Sequence, residues 1–370
     1  MKRAVLLVLL GIGSSCGPPP IVMDAGTDAG NADAGLSTDA GFDAGEPDAG
    51  FDAGEPDAGE PDAGAPDAGI DAGFDAGVDA GFVAGVDAGF DAGTPIDAGS
   101  GLCPQPSGVG PVFRLRAMAA NLTSGNNQSY SPGDGIRIMQ GADPDIVMIQ
   151  EFNYGGSSPA EIATMVATTF DGGFAYHRGV GNIPNGVISR WPIVAQGEWN
   201  GGSPDRELTW AQVDLPGPND LWVISVHLPT SSASARNMDA QTLVQQMDAG
   251  IPPGDYLLLG GDLNTDNRSE VCFSTFSARL VTAAPFPVDQ YGDDDTSGNR
   301  SKPYDHVLAS PCLARLQGPT TVGTSTFDAG LVIDTRGYFP MSDLAPALAT
   351  DSAATNMQHM GVIKDFFIQP

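Results

Sequence analysis

The sequence predicts an α/β protein in which two mixed β-sheets pack face to face between outer helices, a four-layer αββα sandwich. From about residue 103 onwards, apolar segments of strand length greatly outnumber helical patterns. Short loops rich in turn residues separate these segments, so that the few helices remain to cover the outer faces of the sheets. Residues 103–370 are therefore predicted to form one domain at the upper end of the usual size range.

The strands are predicted where apolar residues alternate with polar ones, or run continuously, between turn residues. In chain order they cover residues 112–121, 145–151, 174–178, 186–190, 208–214, 221–227, 256–260, 304–309, 320–326 and 362–368. The segment DIVMIQE at 145–151 is typical of a buried strand that runs into a glutamate.

Three helices are predicted between these strands. A short helix lies in DGIRIMQGADP and ends before Pro144. The second covers 159–170, because Ser158 and Pro159 are typical of a helix start. The third covers 233–248. Periodicity alone does not fix how these elements connect in space.

Polar side chains stand at the ends of the buried strands. In chain order they are Asn121, Glu151, His227, Asp262, Asn264, Asp305 and His359. Singly, each has an ordinary explanation, such as a turn asparagine, a solvated glutamate or a hydrogen-bonded structural histidine. The combination in this order is what indicates a functional site.

This order resembles the endonuclease/exonuclease/phosphatase superfamily, whose members cleave phosphoesters with a divalent metal. The resemblance covers about residues 112–368, and its motifs are AMAAN, IVMIQE, NGVISRWPI, DRELTWAQV, VISVHLP, LLLGGDLN, YDHVLAS and QHMGVIKDF. It implies the same sandwich fold and a phosphoester hydrolase. A phosphodiester is anionic, so such a site must supply positive charge without blocking in-line attack.

The resemblance implies a metal ligand and a general base. Glu151 is the expected ligand, with Asn121 beside it, and the ion is Mg²⁺ or Mn²⁺ because hard cations take oxygen ligands. Asp262 corresponds to the base that takes a proton from the attacking water. Asn264 corresponds to the amide that orients the base and the phosphate.

Further residues are expected to meet the charge that develops on the phosphate. His227 and His359 correspond to the two histidines of the family, and Asp305 to the carboxylate that favours the protonated form of His359. Arg206 is a candidate phosphate clamp, with a surface ion pair as the alternative. Asn185 is a candidate for orienting His227, with a loop turn as the alternative.

Two positions depart from the family pattern. Gln358 stands where an aspartate usually precedes the last histidine, and Leu122 and Thr123 replace a carboxylate shortly after Asn121. Asp343 and Asp351 are the candidates to replace the aspartate that is missing at Gln358. Both changes weaken a second metal site, whereas Asp262, Glu151 and both histidines are present. We therefore expect one essential metal and an active enzyme.

The N-terminus predicts export and anchoring. Residues 1–15 combine two basic residues, an apolar run and small residues, which is typical of a signal peptide, and no apolar stretch is long enough to cross a membrane. Cys16 directly follows the small residues, so the segment resembles a bacterial lipoprotein signal in which Cys16 is lipidated. The alternative is an ordinary secretory signal.

The segment 16–102 is predicted to be a disordered acidic linker. It repeats Asp-Ala-Gly, and residues 21–100 hold sixteen Asp and three Glu with no Lys or Arg. Glycine and proline favour the unfolded chain, and the apolar residues are too few for a core. We therefore expect a membrane-anchored or secreted monomer of the bacterial envelope, and no protein partner is indicated.

Three cysteines remain after Cys16. In an oxidising compartment Cys103, Cys272 and Cys312 allow three pairings, of which we favour Cys272 with Cys312 because both lie inside the domain. Buried free thiols are the alternative. No CxxC spacing occurs, which argues against zinc.

The leading functional hypothesis is a metal-dependent phosphodiesterase, with a nuclease as the first candidate. Residues 101–370 hold 27 acidic against 14 basic residues without a basic cluster, which argues against tight nucleic-acid binding. The alternatives in the same family are a sphingolipid or phospholipid phosphodiesterase and an inositol-phosphate phosphatase. An alternative of another class is a non-catalytic surface binding module.

Overall fold

The computed structural model describes residues 103–105, 110–201 and 206–370. The predicted signal peptide 1–15, the predicted lipidation site Cys16 and the predicted linker 16–102 lie outside the described residues. No described helix has the length and apolar character needed to cross a bilayer.

The described chain forms fourteen strands and five α-helices. The strands are β1 (Phe113–Ala120), β2 (Ile146–Ile149), β3 (Ala175–Arg178), β4 (Gly186–Ser189), β5 (Ile193–Trp199), β6 (Leu208–Val213), β7 (Leu221–His227), β8 (Tyr256–Asp262), β9 (Asp305–Ala309), β10 (Gln317–Gly318), β11 (Thr320–Val322), β12 (Ser325–Phe327), β13 (Leu331–Ile333) and β14 (Gly361–Ile368). The helices are α1 (Asp134–Ala142), α2 (Pro159–Thr169), α3 (Ala233–Gly250), α4 (Val271–Phe276) and α5 (Pro311–Ala314). Two short 3₁₀ helices cover Met341–Leu344 and Asp351–Ala353.

The strands form two mixed sheets and a hairpin. The first sheet has the order β10-β14-β1-β2-β4-β3, with β13 also paired to β14, and the second has the order β5-β6-β7-β8-β9. In the first sheet β1 and β2 are parallel, and in the second β7 and β8 are parallel. The remaining pairs are antiparallel.

Three apolar cores separate the four layers. The middle core takes residues from the inner faces of both sheets, among them Leu115, Met148, Val223, Leu258 and Phe366. A second core packs α1 and α2 on the outer face of the first sheet, and a third packs α3 and α4 on the outer face of the second sheet. The predicted four-layer αββα sandwich is confirmed.

Most predicted elements form within one or two residues of their expected ends. The helix α2 begins as predicted, because the Ser158 hydroxyl accepts from Glu161 N while the Glu161 carboxylate accepts from Ser158 N. The predicted strand 320–326 is wrong, since the chain turns at Gly323, whose φ is 55°, and forms the hairpin β11–β12. The strands β5, β10 and β13 and the helices α4 and α5 were not predicted.

The disulfide joins Cys103 to Cys312. The favoured pairing of Cys272 with Cys312 is therefore wrong, because α4 buries Cys272 as a free thiol in the outer core of the second sheet. Cys103 and Cys312 instead both lie in the middle core. The bond ties the start of the domain to α5, directly after β9.

Candidate active site

The strand ends that carry the predicted residues meet at one edge of the two sheets. Because β7 and β8 are parallel and β9 is antiparallel to β8, the register places His227 beside Asp262 and Asp262 beside Asp305. In the first sheet, β1 and β2 end together, and the antiparallel β14 begins near the end of β1. Asn121, Glu151 and His359 therefore come from neighbouring strands.

Asp262 lies at the centre of this cluster and is buried. Its Oδ2 atom lies 3.1 Å from His227 Nε2, 3.1 Å from Asn121 Nδ2, 3.2 Å from Asn264 Nδ2 and 3.5 Å from His359 Nε2. Its Oδ1 atom accepts from Asn264 N at 2.8 Å. Donors from both sheets thus converge on one carboxylate and fix its position.

His359 bridges two carboxylates. Its Nδ1 atom lies 3.0 Å from Asp305 Oδ2, and its Nε2 atom faces Asp262. Burial disfavours the charged imidazolium, but the negative charges of Asp305, Asp262 and Glu151 outweigh burial and raise the pKa of His359 to about 10. His359 is therefore protonated at neutral pH.

The pKa values of the two aspartates that flank His359 shift in opposite directions. Burial raises the pKa of Asp305 to about 6, although the neighbouring imidazolium of His359 opposes this rise. Burial also disfavours ionisation of Asp262, but the charges of His359 and His227 outweigh it, so the pKa of Asp262 is lowered. Both carboxylates are ionised at pH 7.

Glu151 occupies the predicted position at the end of β2. Its backbone has the left-handed φ of 52°, which is uncommon outside glycine and is found at functional sites. Its Oε2 atom accepts from the Thr123 hydroxyl at 2.6 Å, and Asn121 Nδ2 lies 3.4 Å from its Oε1 atom. The carboxylate is thus held beside Asp262 through Asn121.

The residues present fit a hard divalent cation. Asn121 Oδ1 is buried and has no hydrogen-bond partner among the described residues, while the adjacent Glu151 supplies carboxylate oxygen. Buried polar atoms normally have a partner, so an oxygen of this kind is suited to a metal.

Asp262, Asp305 and His359 form a second group of side chains that could hold a metal ion. Donor atoms of Asp262, Asp305 and His359 lie within 4.8 Å of one another. These three side chains already contact one another, with His359 Nδ1 3.0 Å from Asp305 Oδ2, so a cation bound here would have to displace the proton of His359. The oxygen pair of Asn121 and Glu151 is therefore the better candidate.

The two expected phosphate contacts lie at different depths. Arg206 is partly buried, its guanidinium donates to Leu228 O at 3.2 Å, and no carboxylate of the described residues pairs with it. Asn185 is buried and donates to Glu207 O at 2.7 Å. Within the described chain neither Asn185 Oδ1 nor His227 Nδ1 has a partner, so the structure does not bring these two side chains into a hydrogen bond.

The aspartate that is missing at Gln358 is not replaced by Asp343 or Asp351, because each of these two carboxylates bonds another group. Gln358 is exposed to solvent. Asp343 accepts from Thr324 N, and Asp351 pairs with Arg137.

Three supporting residues were not predicted as part of the site. Thr123 donates to Glu151, but the sequence indicates this position only because a carboxylate is absent there. Tyr130 donates to Ala120 O at 2.7 Å and accepts from Leu122 N at 3.1 Å, which fixes the chain on either side of Asn121. Arg236 is not marked by any sequence pattern.

Arg236 holds the loop that follows Asp262. Its buried guanidinium donates to both carboxylate oxygens of Glu270, at 2.8 and 2.6 Å, and to Asp266 Oδ2 at 3.0 Å. The backbone N–H of Asp266 also donates to Glu270 Oε1 at 2.6 Å. This network anchors the segment that carries Asn264.

Comparison with known proteins places the chain in a family. The family model described as the endonuclease/exonuclease/phosphatase family matches residues 114–333. No curated protein matches the sequence.

Several solved structures of low sequence identity are similar to this chain over about two thirds of its length. An endonuclease/exonuclease/phosphatase from Beutenbergia cavernae is 20% identical, with a TM-score of 0.45 over 68% of this chain and 71% of that chain. One from Bacteroides vulgatus is 13% identical, with a TM-score of 0.48 over 70% and 100%. A sphingomyelinase C from Streptomyces griseocarneus is 16% identical, with a TM-score of 0.43 over 70% and 100%.

The family model spans more than half of the chain and includes Asn121, Glu151, His227, Asp262 and Asp305, leaving only His359 beyond its end. The chain belongs to the endonuclease/exonuclease/phosphatase family.

Proposed function

We propose that this protein is a metal-dependent phosphodiesterase in which Asp262 accepts the proton of the attacking water. The single observation that carries the proposal is the convergence of four side-chain donors on the buried Asp262 carboxylate, with Glu151 adjacent. Fold alone does not establish function, but this arrangement matches the parts that phosphoester hydrolysis requires.

The base acts through position more than through basicity. A lowered pKa keeps Asp262 ionised at neutral pH but makes it a weak proton acceptor. Catalysis must therefore come largely from orienting the water and from stabilising the charge that develops on phosphate. Asn264, through its backbone and side-chain bonds, fixes the carboxylate for this purpose.

Positive charge for the phosphate is supplied from two sides. His359 is protonated between its two carboxylates, and His227 presents Nε2 at the same point. Glu151 and Asn121 would hold Mg²⁺ or Mn²⁺, which when bound neutralises phosphate charge. Arg206, which is partly buried near Leu228, is proposed to add a further phosphate contact.

We also propose that the protein acts outside the cytoplasm, as a monomer anchored through a lipid at Cys16. The disulfide between Cys103 and Cys312 supports this location, because disulfides persist in oxidising compartments.

Among phosphoesters, nucleic acid is the first substrate to test, followed by the diesters of sphingolipids and phospholipids and then by inositol phosphates, which are monoesters. The excess of acidic over basic residues in 101–370 limits the non-specific affinity expected for a polyanion.

The test compares the full-length protein with two variants, using bis(4-nitrophenyl) phosphate and Mg²⁺. We expect Asp262→Asn to lower kcat/KM by about 10² to 10⁴-fold, the usual contribution of a general base. The matched control, Asp214→Asn, changes an exposed aspartate outside the site and should retain full activity. Equal cleavage rates for Asp262→Asn and the unmodified protein would refute the mechanism, and absence of cleavage by the unmodified protein would favour a non-catalytic binding module.

A further inference from the structure

A groove lined by uncharged polar groups lies on the loops that follow the proposed metal ligands. Its volume is about 450 Å³, within the range of roughly 300 to 1,000 Å³ that is usual for small-molecule sites. The segments 125–132 and 153–157 form its walls together with Asn182.

The groove begins close to the catalytic carboxylates. Gly125 follows Thr123 by two residues, and Asn153 follows Glu151 by two residues, so each wall starts within about 8 Å of a site residue because adjacent Cα atoms are 3.8 Å apart. Asn153 N also donates to Glu151 O at 2.5 Å. The two walls of the groove are therefore continuous with the chain segments that carry Thr123 and Glu151.

The described lining has no charged side chain and no large apolar side chain. It consists of asparagine, serine and glycine with Pro132, and none of the described lining residues is acidic or basic. Asn126 and Asn127 are exposed, and no side-chain hydrogen bond involves either one within the described chain. Each amide offers two donors and an acceptor, which suits hydroxyl groups because a hydroxyl both donates and accepts.

The loops around the groove are held in place before any ligand binds. Asn127, Gln128 and Ser157 have left-handed φ values of 55°, 53° and 58°, a strained conformation that persists only when surrounding contacts enforce it. The walls are also joined to each other, since Gly155 N donates to the Ser131 hydroxyl at 2.8 Å. Binding thus requires little further ordering of the chain.

We propose that this groove binds an uncharged, hydroxyl-rich organic group, such as inositol, glycerol or a hexose, that is esterified to the phosphate in the active site. This inference rests on the proposed phosphodiesterase function. A polynucleotide would need basic side chains along its backbone, and an acyl chain would need walls built from large apolar side chains. The groove supplies neither.

Binding is measured in the Asp262→Asn background, so that turnover does not consume the ligand. The probes are glycerophosphoinositol, which is rich in hydroxyls, and dibutyl phosphate, which has the same charge and none. With Mg²⁺ present, calorimetry on the full chain should give about tenfold tighter binding of glycerophosphoinositol, which corresponds to one or two net hydrogen bonds.

Removal of the two exposed amides should abolish this preference. The substitutions are Asn126→Ala and Asn127→Gly, where glycine keeps the left-handed conformation. The matched control is Asn356→Gly, which removes an exposed amide at φ 70° outside the groove and should keep the tenfold preference.

Equal affinity for the two diesters, or a preference that survives the double substitution, would overturn the proposal. Tighter binding of a short DNA oligonucleotide or of a long-chain alkyl phosphodiester than of glycerophosphoinositol would do the same. The outcome is separable from the proposed function. If the unmodified protein shows no cleavage, the proposed phosphodiesterase function is refuted. If it cleaves but the binding preference is absent, only the proposal for the groove is refuted.

Discussion

At the residue scale, the site depends on where hydrogen-bond donors are placed around two carboxylates. Asp262 is surrounded by donors and stays ionised, while Glu151 has few and keeps oxygen atoms available for a cation. The contrast assigns different tasks to two buried acids in one cluster, because environment decides which form of a carboxylate is stable.

Thr123 is predicted to tune the affinity of Glu151 for metal. Its hydroxyl donates to Glu151 Oε2 at 2.6 Å, and groups that orient a metal ligand in this way typically change affinity about 10 to 100-fold. Thr123→Val should therefore raise the Mg²⁺ concentration for half-maximal activity, and weaken Mn²⁺ binding measured by electron paramagnetic resonance, by about that factor. Thr123→Ser keeps the hydroxyl and should bind Mn²⁺ normally. Unchanged binding by the valine variant would contradict this role.

His306 is predicted to make stability depend on pH. Its Nε2 atom lies 2.7 Å from Pro303 O, and Arg268 Nη1 lies 3.2 Å from Nδ1, a pattern that suits the neutral ring. Burial, reinforced by Arg268, lowers the pKa of His306 to about 3. The unfolded chain, with a histidine pKa near 6.5, therefore binds the extra proton, and stability is lost as the pH falls below about 6.5.

The measurement is urea unfolding of the unmodified protein and of His306→Gln at pH 7.5 and pH 5. The unmodified protein should lose about 2 kcal/mol more than the variant over this range, from the proton linkage of one histidine. Carboxylates titrate alike in both proteins and cancel in the difference. An equal loss in both proteins would show that His306 is protonated in the folded state.

The positions at strand ends were predictable from the sequence, since each follows or precedes a strongly apolar segment. The supporting residues were not. Tyr130 reaches Ala120 from a loop, and Arg236 reaches from α3 to Glu270 at the start of α4, so these contacts depend on tertiary distances that no local pattern encodes.

At the element scale, β1 and β14 set the geometry of the site because Asn121 follows one and His359 precedes the other. Their register pairs Arg116 with Asp365. The Arg116 guanidinium donates to both Asp365 oxygens at 2.7 Å and also to Ala142 O at 2.8 Å. A slip of β14 by one residue would move Asp365 to the opposite face of the sheet and away from Arg116.

Removal of one partner of this buried pair should destabilise the protein strongly. Asp365→Ala leaves the Arg116 charge buried without a counter-ion, which typically costs about 3 to 5 kcal/mol of the free energy of unfolding. The matched control, Asp248→Ala, removes an exposed aspartate that pairs with the partly buried Arg279, and it should cost less than about 1 kcal/mol. Urea unfolding measures both. Similar losses in the two variants would contradict a special role for the buried pair.

The sequence predicted elements with strong patterns and missed weak ones. The strands β7 and β8 carry long apolar runs and were found with little error. The strand β5 is half-exposed, and β13 has only three residues, so neither gives a clear period. Gly323 interrupts a segment that otherwise has the composition of one strand, which explains the missed hairpin.

At the scale of the whole molecule, the disulfide connects parts of the domain that are far apart in sequence. Cys103 precedes β1 and Cys312 follows β9, with a separation of 209 residues. The sequence shows three thiols but not which two are close, because that depends on how the two sheets pack. A cross-link over so long a segment restricts the unfolded chain considerably.

Loss of this disulfide should lower the stability of the entire domain. Cys103→Ser is expected to reduce the free energy of unfolding by about 2 to 5 kcal/mol, the usual effect of removing a native disulfide. Cys272→Ala, which changes the buried free thiol, is the matched control for the loss of one sulfur atom. The free energy of unfolding that Cys272→Ala loses should be the same with and without a reductant. The deciding measurement is urea unfolding with and without dithiothreitol.

The reductant should lower the midpoint of the unmodified protein and of Cys272→Ala alike, and leave Cys103→Ser unchanged. If the midpoint of the unmodified protein does not move although thiol titration shows three free cysteines among Cys103, Cys272 and Cys312, the two sheets hold the chain ends without help from the bond. The domain would then be as stable in a reducing compartment as in an oxidising one, and the disulfide would no longer support an extracytoplasmic location.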